Sequence, residues 1–144
     1  MTSPRFVYVS FMRTTPDALW RALTDSDFTK EYWDGAVAQS DWKVGSPLTL
    51  SKDGKELVQG KILVADKPTT LSYSWNTVMS DEMKKEGFSR VTFQIDQSKD
   101  QVKLTVTHDE FPENSVVFGS ISGGWPKVIS NLKSVLESPA LAKV

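Results

Sequence analysis

The sequence contains no cysteine and a single histidine, His108. Without cysteine the chain can form no disulfide, no thiolate nucleophile and no Cys-ligated zinc or iron–sulfur site. A zinc site would have to consist mostly of carboxylates, and no glycine-rich loop has the spacing of a phosphate cradle. We therefore expect no metal and no cofactor. The absence of cysteine also agrees with a cytoplasmic location.

The charges are almost balanced, and long apolar runs are missing. Lysine and arginine number 17 against 18 aspartates and glutamates, which gives a net charge of −1. No basic cluster stands out, so nucleic acid is not an expected partner. No apolar run approaches the roughly 20 residues that cross a bilayer, and no cationic segment precedes an apolar core at the N-terminus. We expect neither stable membrane insertion nor a signal peptide.

Aromatic residues, in contrast, are plentiful. Five tryptophans, seven phenylalanines and three tyrosines among 144 residues supply bulky side chains for a core or a pocket. A chain of this length can bury roughly 70% of its unfolded surface and is most simply one domain. We predict a single domain over residues 1–144, with its core at about 6–137, and leave its oligomeric state open.

One strand followed by two short helices is predicted for the N-terminal part. The segment 5–12 is rich in β-branched and aromatic residues, which is typical of a strand. Thr15 as N-cap and Pro16 at the first helical position then indicate a helix start. Ser26 is predicted to cap a second short helix that ends near Gly35.

The middle of the chain, to about residue 110, alternates apolar and polar residues. This alternation predicts an antiparallel sheet with one buried face. Asp53-Gly54 favours a tight hairpin turn between two of the strands. The charged segment 76–87 is predicted to be a solvated, mobile loop that serves as a lid over a cavity. The strands are predicted within residues 47–52, 56–66, 70–76, 90–96 and 101–109.

The C-terminal part changes to helical spacing. Apolar residues recur at steps of three and four from Phe118 to Leu136. This stripe predicts an amphipathic helix of about five turns. The helix is expected to end near Ser138, and the residues after it are expected to form a loose tail.

Within this stripe, poor helix formers surround a tryptophan: Gly123, Gly124 and Pro126 flank Trp125. Each glycine costs about 1 kcal/mol against alanine in a helix, and proline costs about 3 kcal/mol. Two compatible interpretations follow. A kink, or a break into two helices, would let the helix follow a curved sheet, and the missing side chains would open room for a ligand beside Trp125.

Six segments, taken in order, carry a resemblance to a known family: "TTPDALWRALTD", "YWDGA", "DWKVGS", "SYSW", "TVTHDEF" and "GGWPKVISNLKSVLE". Together they resemble the branch of the START/Bet v (SRPBCC) superfamily that contains the activator of heat-shock-protein-90 ATPase. The resemblance covers about residues 6–137. It implies an α+β helix-grip fold, in which a curved antiparallel sheet of six or seven strands wraps round a long C-terminal helix. Two short helices follow the first strand, and the cavity often holds a hydrophobic molecule.

Nine residues are candidates for lining such a cavity. They combine aromatic bulk with predicted positions on the inner sheet face, on the C-terminal helix or near a cavity mouth. For each one alone, an ordinary place in the core is the simpler interpretation. The candidate ligand-binding residues are Trp33, Trp42, Tyr73, Trp75, Phe93, His108, Phe118, Ile121 and Trp125.

His108 is the one residue with catalytic potential, and it is a weak candidate. It falls in phase with the apolar residues of its strand. The simplest interpretation is a neutral, hydrogen-bonded histidine near the strand end. The alternatives are a polar anchor for a ligand and a general acid or base.

Three functions remain open at this stage. The first is a non-enzymatic binding module for a small hydrophobic or amphipathic molecule, with a role in stress response. The second is a protein-interaction module that resembles the heat-shock-protein-90 ATPase activator and has a chaperone or another protein as partner. The third is an enzyme of the polyketide cyclase or dehydratase kind. The resemblance identifies no set of catalytic residues, so an enzyme is the less favoured interpretation.

Overall fold

The computed structural model describes residues 4–137, so the predicted tail after Ser138 lies outside the described residues. Seven strands and four helices occur in this part of the chain. In chain order they are β1 (Phe6–Met12), α1 (Pro16–Thr24), α2 (Ser26–Tyr32), β2 (Val37–Ser40), β3 (Pro47–Lys52), β4 (Lys55–Asp66), β5 (Thr70–Thr77), α3 (Asp81–Lys84), β6 (Ser89–Ser98), β7 (Gln101–Asp109) and α4 (Val116–Glu137).

All seven strands form one antiparallel sheet in the order β1-β7-β6-β5-β4-β3-β2. Strands β2 to β7 follow one another as a meander, and β1 returns to pair with β7. The inner face is apolar and buried, with Leu71, Phe93 and Leu104 at most 1% exposed. The predicted curved sheet, long C-terminal helix and two short helices after the first strand are thus confirmed.

The caps of the two short helices agree with the sequence signals, apart from a shift of one residue. Thr15 caps α1, since its Oγ1 accepts a hydrogen bond from the backbone N–H of Ala18 at 3.2 Å. For α2 the cap is Asp25, whose Oδ1 accepts from the N–H of Asp27 at 2.9 Å. The prediction that Ser26 caps this helix is wrong, because Asp25 holds the extended backbone that an N-cap needs.

Helix α4 runs without interruption from Val116 to Glu137, with Pro126 inside it. Of the two alternatives, a kink or a break into two helices, the break is therefore wrong. Five apolar side chains of α4 are buried in the core, each contributing about 1.5–3 kcal/mol, and together they outweigh the roughly 3 kcal/mol cost of proline. None of the helices in residues 4–137 has the length and apolar character that a membrane crossing requires.

Two short elements have no counterpart among the predicted ones. Strand β2 has four residues and reads VAQS, too short and too polar to stand out. Helix α3 lies inside the predicted lid and has only four residues, capped by Ser80, whose Oγ accepts from the N–H of Met83 at 3.2 Å. The segment 76–87 is thus partly helical rather than a bare loop.

Candidate functional site

A cavity of about 110 Å³ lies between β5, the end of α2 and the middle of α4. We call it the indole cavity, because three tryptophans contribute to its wall. Its lining is mostly apolar, with two hydroxyl groups from different elements. The lining residues are Trp33, Trp75, Thr77, Met79, Ser120, Ile121, Gly124, Trp125 and Val128.

The three tryptophans of the indole cavity contact one another. The ring centroids of Trp33 and Trp75 are 6.2 Å apart, with planes inclined by 22°. Trp125 is tilted against both, at 5.4 Å from Trp33 and 5.5 Å from Trp75. Such offset and tilted arrangements suit the charge distribution of aromatic rings. One helix end, one strand and the covering helix therefore build a single aromatic wall.

A chain of buried hydrogen bonds fixes two of these indoles. Trp125 Nε1 lies 3.0 Å from His108 Nδ1, and an indole N–H can only donate, so Nδ1 accepts. In a neutral imidazole the proton then sits on Nε2, which donates to Ser89 Oγ at 2.7 Å. Ser89 Oγ in turn donates to the carbonyl of Trp75 at 3.2 Å. The indole of Trp75 donates from Nε1 to Thr77 Oγ1 at 2.9 Å.

His108 is held neutral by this environment. It is fully buried, and burial lowers its pKa from 6.5 to about 3. Both ring nitrogens are engaged by protein groups, Trp125 on one side and Ser89 on the other. This geometry matches the simplest interpretation of His108, a satisfied histidine near the strand end. It presents neither nitrogen to a ligand in the indole cavity.

Four of the nine predicted lining residues come together at the indole cavity: Trp33, Trp75, Ile121 and Trp125. Three others form a second layer behind it. Tyr73 stacks beside Trp75 at 6.5 Å, and burial raises its pKa. Phe93 lies edge-on to Trp125 at 5.8 Å, and His108 bonds Trp125 as described.

The remaining two predicted residues lie away from the indole cavity. Phe118 packs edge-on against Phe111, with centroids 5.2 Å apart, and Phe111 covers His108 at 4.5 Å. Trp42 lines a separate polar groove of about 510 Å³, beside the junction of α1 and α2 and strand β2. Its backbone N–H donates to Ser40 Oγ at 3.0 Å, which keeps it in that loop.

Sequence reasoning missed several lining residues, and Thr77, Met79, Ser120 and Val128 were not among the candidates. Thr77 continues the alternation of Tyr73 and Trp75, so the period of two carried a signal for it. Gly124, which is predicted to leave room for a ligand, does line the cavity. Apart from its chain neighbours and the backbone of its own helix, a methyl group added there would meet no heavy atom within 4 Å.

The predicted lid is fastened to the start of α4 by one carboxylate. Glu86 accepts hydrogen bonds from the backbone N–H groups of Val116 and Val117 at 2.8 and 3.3 Å, and from the hydroxyl of Ser115. A negative charge at a helix N-terminus is favourable. Met79, at the start of the same segment, lines the indole cavity and is 48% exposed. The lid segment thus forms part of the cavity wall.

No cluster of three or more histidine, aspartate or glutamate side chains suited to a metal ion occurs within residues 4–137. The hydroxyls and indoles of the cavity are poor ligands for the common protein metals. What the site offers chemically is apolar contact, aromatic faces and two hydroxyl groups.

The fold and the cavity define a helix-grip protein with an aromatic pocket under its C-terminal helix. A family model described as activator of Hsp90 ATPase homolog 1-like protein matches residues 13–137. Because this match covers most of the chain, the protein belongs to that family, and the predicted resemblance is confirmed. A search of curated protein sequences finds no significant match.

Solved structures support the fold. Protein MLL2253 from Mesorhizobium loti superimposes with a TM-score of 0.82 at 23% identity, covering 94% of this chain and 98% of its own. The Aha1 dimer from Colwellia psychrerythraea gives 0.77 at 18% identity, with coverage of 94% and 97%. An HSP90 activator from Plasmodium falciparum gives 0.76 at 23% identity, with coverage of 92% and 95%. At these identities the likeness extends to the fold alone.

Proposed function

We propose that this protein binds a small apolar or amphipathic molecule in the indole cavity. The observation that carries the proposal is the wall of three mutually contacting indoles beside a helix position, Gly124, that has no side chain. Apolar pockets with a few placed polar groups are the usual form of small-molecule sites.

The size and lining of the cavity favour a ligand with about one ring. An engineered apolar cavity of about 150 Å³ accommodates benzene, and the indole cavity measures about 110 Å³. Aromatic faces on three elements favour a flat ligand. Thr77 already accepts a bond from Trp75, and a hydroxyl that accepts still carries one proton to donate. Thr77 can therefore donate to a ligand oxygen, which suits an amphipathic molecule.

The hydrogen-bonding of His108 favours binding over catalysis in this pocket. An acid–base catalyst must reach the proton that it transfers. The two nitrogens of His108 bond Trp125 and Ser89, and burial lowers its pKa to about 3. Among the described residues that line the cavity none is an acid–base group, which favours binding over the third hypothesis, a polyketide cyclase-like enzyme.

Titration with phenol tests the proposal, because phenol combines one aromatic ring with one hydroxyl. The chain has five tryptophans, and two-dimensional NMR can follow their indole N–H signals individually. We expect saturable shifts for Trp33, Trp75 and Trp125, while Trp42 in its separate groove serves as an internal control. Equal shifts of Trp42, or no saturation, would overturn the proposal.

The natural ligand can be sought by native mass spectrometry of freshly purified protein, followed by organic extraction. A reproducible bound molecule of about one ring would identify the chemistry directly. A molecule much too large for the cavity would contradict the size argument.

A second function rests on the family match, whose description names an Hsp90 ATPase activator homologue. In this case the protein would bind the chaperone and raise its ATPase rate. A steady-state ATPase assay at saturating protein decides the question. An unchanged rate would remove this function and leave the ligand-binding proposal untouched.

A further inference from the structure

Strand β1 forms a long apolar edge of the sheet. It has seven residues, whereas β2 at the opposite edge has four. Val7, Val9 and Phe11 are 47%, 44% and 45% exposed on its outer face. Natural proteins usually blunt such edges with charged side chains, prolines or a covering element, since an open edge pairs readily with another chain. The strand itself, FVYVSFM, contains neither a charge nor a proline.

The hydrogen-bond pattern shows which backbone groups of β1 face the open side. Ile95 on β6 donates its N–H towards β5, so alternate residues of β6 bond β7 instead. The residues of β6 that bond β7 pair with the odd-numbered residues of β7, so the even-numbered residues of β7 bond β1. Their partners on β1 are also even-numbered, and the backbone groups of Val7, Val9 and Phe11 therefore point away from β7. Lys133 of α4 donates to the carbonyl of Phe11, which agrees with a Phe11 carbonyl that points away from β7. Within residues 4–137 no strand pairs with this side of β1, and the N–H and C=O groups of Val7 and Val9 point to it.

An open groove of about 540 Å³ lies beside this edge, between β1 and α4. Its lining combines an aromatic ring, a proline, polar groups and one ammonium group. The ring of Tyr8 stacks on that of Phe6, with centroids 6.4 Å apart. A strand added to β1 would place alternate side chains in the groove and the others beside Val7 and Val9. The lining residues are Tyr8, Pro126, Lys127, Ser130 and Asn131.

Three basic side chains lie near the edge, and the carboxylates of Asp109 and Glu110 at the adjoining end of β7 are paired with Arg90. Arg5 and Arg13 flank β1, and Lys127 lines the groove. The acidic residue at this end of α4, Glu137, is already engaged, since it accepts from the N–H of Arg13 at 2.8 Å and lies 3.3 Å from Lys133. An incoming strand with carboxylates near its ends would complement these charges.

We propose that the β1 edge binds an extended segment of another protein by strand addition, with apolar side chains at alternate positions and acidic residues at its ends. Backbone hydrogen bonds to Val7 and Val9 would supply affinity. The groove and Lys127 would supply selectivity. This site is separate from the indole cavity and does not depend on its ligand.

A second copy of the chain fits this edge less well than an acidic segment. Antiparallel self-pairing centred on Val9 would set Arg5 of one copy opposite Arg13 of the other, at both ends of the ribbon. Like charges directly opposite each other destabilise strand pairs. The observed charges therefore favour a partner with the opposite sign.

The test uses a synthetic seven-residue peptide, blocked at both ends, in which valine and threonine alternate between two terminal glutamates. Titrated into the full chain, it should shift the amide signals of Val7 and Val9 in a saturable way. The same peptide with N-methylated backbone amides keeps its side chains but loses its donors, and it should not bind. No saturable shift at Val7 and Val9, or equal binding of the N-methylated peptide, would overturn the proposal.

A matched pair of surface variants tests the charge argument. Lys127→Glu should weaken peptide binding by about three- to tenfold, the range expected for reversing one exposed charge. Lys55→Glu, also at an exposed lysine but at the start of β4, should leave binding unchanged. Equal effects of the two variants, or tighter binding of a peptide with terminal lysines, would overturn the acidic partner. Concentration-dependent shifts of Val7 and Val9 without peptide would identify a second copy as the occupant instead.

Discussion

Replacing Gly124 by alanine should stabilise the protein while weakening ligand binding. Alanine is favoured over glycine in a helix interior by about 1 kcal/mol. Outside its chain neighbours and the backbone of its own helix, a methyl group at this position would meet no heavy atom within 4 Å, so no clash with another element offsets the gain. For a chain of 144 residues, 1 kcal/mol corresponds to a rise in melting temperature of about 2–5 °C.

The same methyl group would project into the indole cavity. Its bulk is of the order of a water molecule's share of the liquid, about 30 Å³, against a cavity of about 110 Å³. A ligand that fills the cavity would then be overpacked, which typically costs about 1–3 kcal/mol. This range corresponds to roughly 5- to 150-fold weaker binding.

Gly123→Ala is the matched control. Gly123 has the same open space for a methyl group and the same helix, but it is exposed and does not line the cavity. Chemical denaturation should show a similar gain in the free energy of unfolding for both variants, and phenol titration should show a loss for Gly124→Ala alone. Equal phenol affinity in the two variants, or destabilisation by Gly124→Ala, would refute the assignment of this glycine to the cavity.

Three other perturbations have defined outcomes. Gly60→Ala should lower the free energy of unfolding by about 3 kcal/mol or more, because the added Cβ would lie 1.8 Å from the carbonyl oxygen of Ser74. Chemical denaturation measures this loss, and a loss below about 1 kcal/mol would contradict the close approach. The unfolded chain binds a proton at His108 below about pH 6.5, whereas the folded chain does so only near pH 3. The free energy of unfolding should therefore decrease as the pH is lowered, by about 2 kcal/mol between pH 7 and pH 5. His108→Gln should abolish that loss, and an unaltered pH profile would show that another group causes it. Glu86→Ala should cost about 1–2 kcal/mol and speed hydrogen exchange in the lid, whereas Glu82→Ala on the same segment should do neither; similar exchange rates in the two variants would show that Glu86 does not fasten the lid.

The fold was predictable because its signals are local and repeated. The cap at Thr15, the turn at Asp53-Gly54 and the alternation along β5 each depend on neighbouring residues only. Where the prediction failed, either tertiary packing or the shortness of the element was responsible. Buried apolar contacts keep α4 continuous through Pro126, and β2 gains its strand conformation only by pairing with β3.

The candidate site was predictable only in part, since it depends on how elements meet. The period of two placed Trp75 on the inner face, and helical spacing placed Trp125 opposite it. No local pattern could separate Trp33, which reaches the cavity from the end of α2, from Trp42, which faces another groove. Likewise, the partnership of His108 with Trp125 joins residues from β7 and α4 and follows from packing alone.

The hydrogen bonds behind the indole cavity bear on how it stays open. The side chains that line a small apolar cavity lack dispersion contacts on one side, so they tend to relax into the empty space. Two of the three indoles cannot do so without breaking a bond, since Trp75 is tied to Thr77 and Trp125 to His108. His108 is itself tied to Ser89, and leaving any of these buried groups unpaired would cost about 1–3 kcal/mol. A neutral His108 therefore supports a preformed aromatic wall, and a ligand of the proposed kind would bind without first rearranging it.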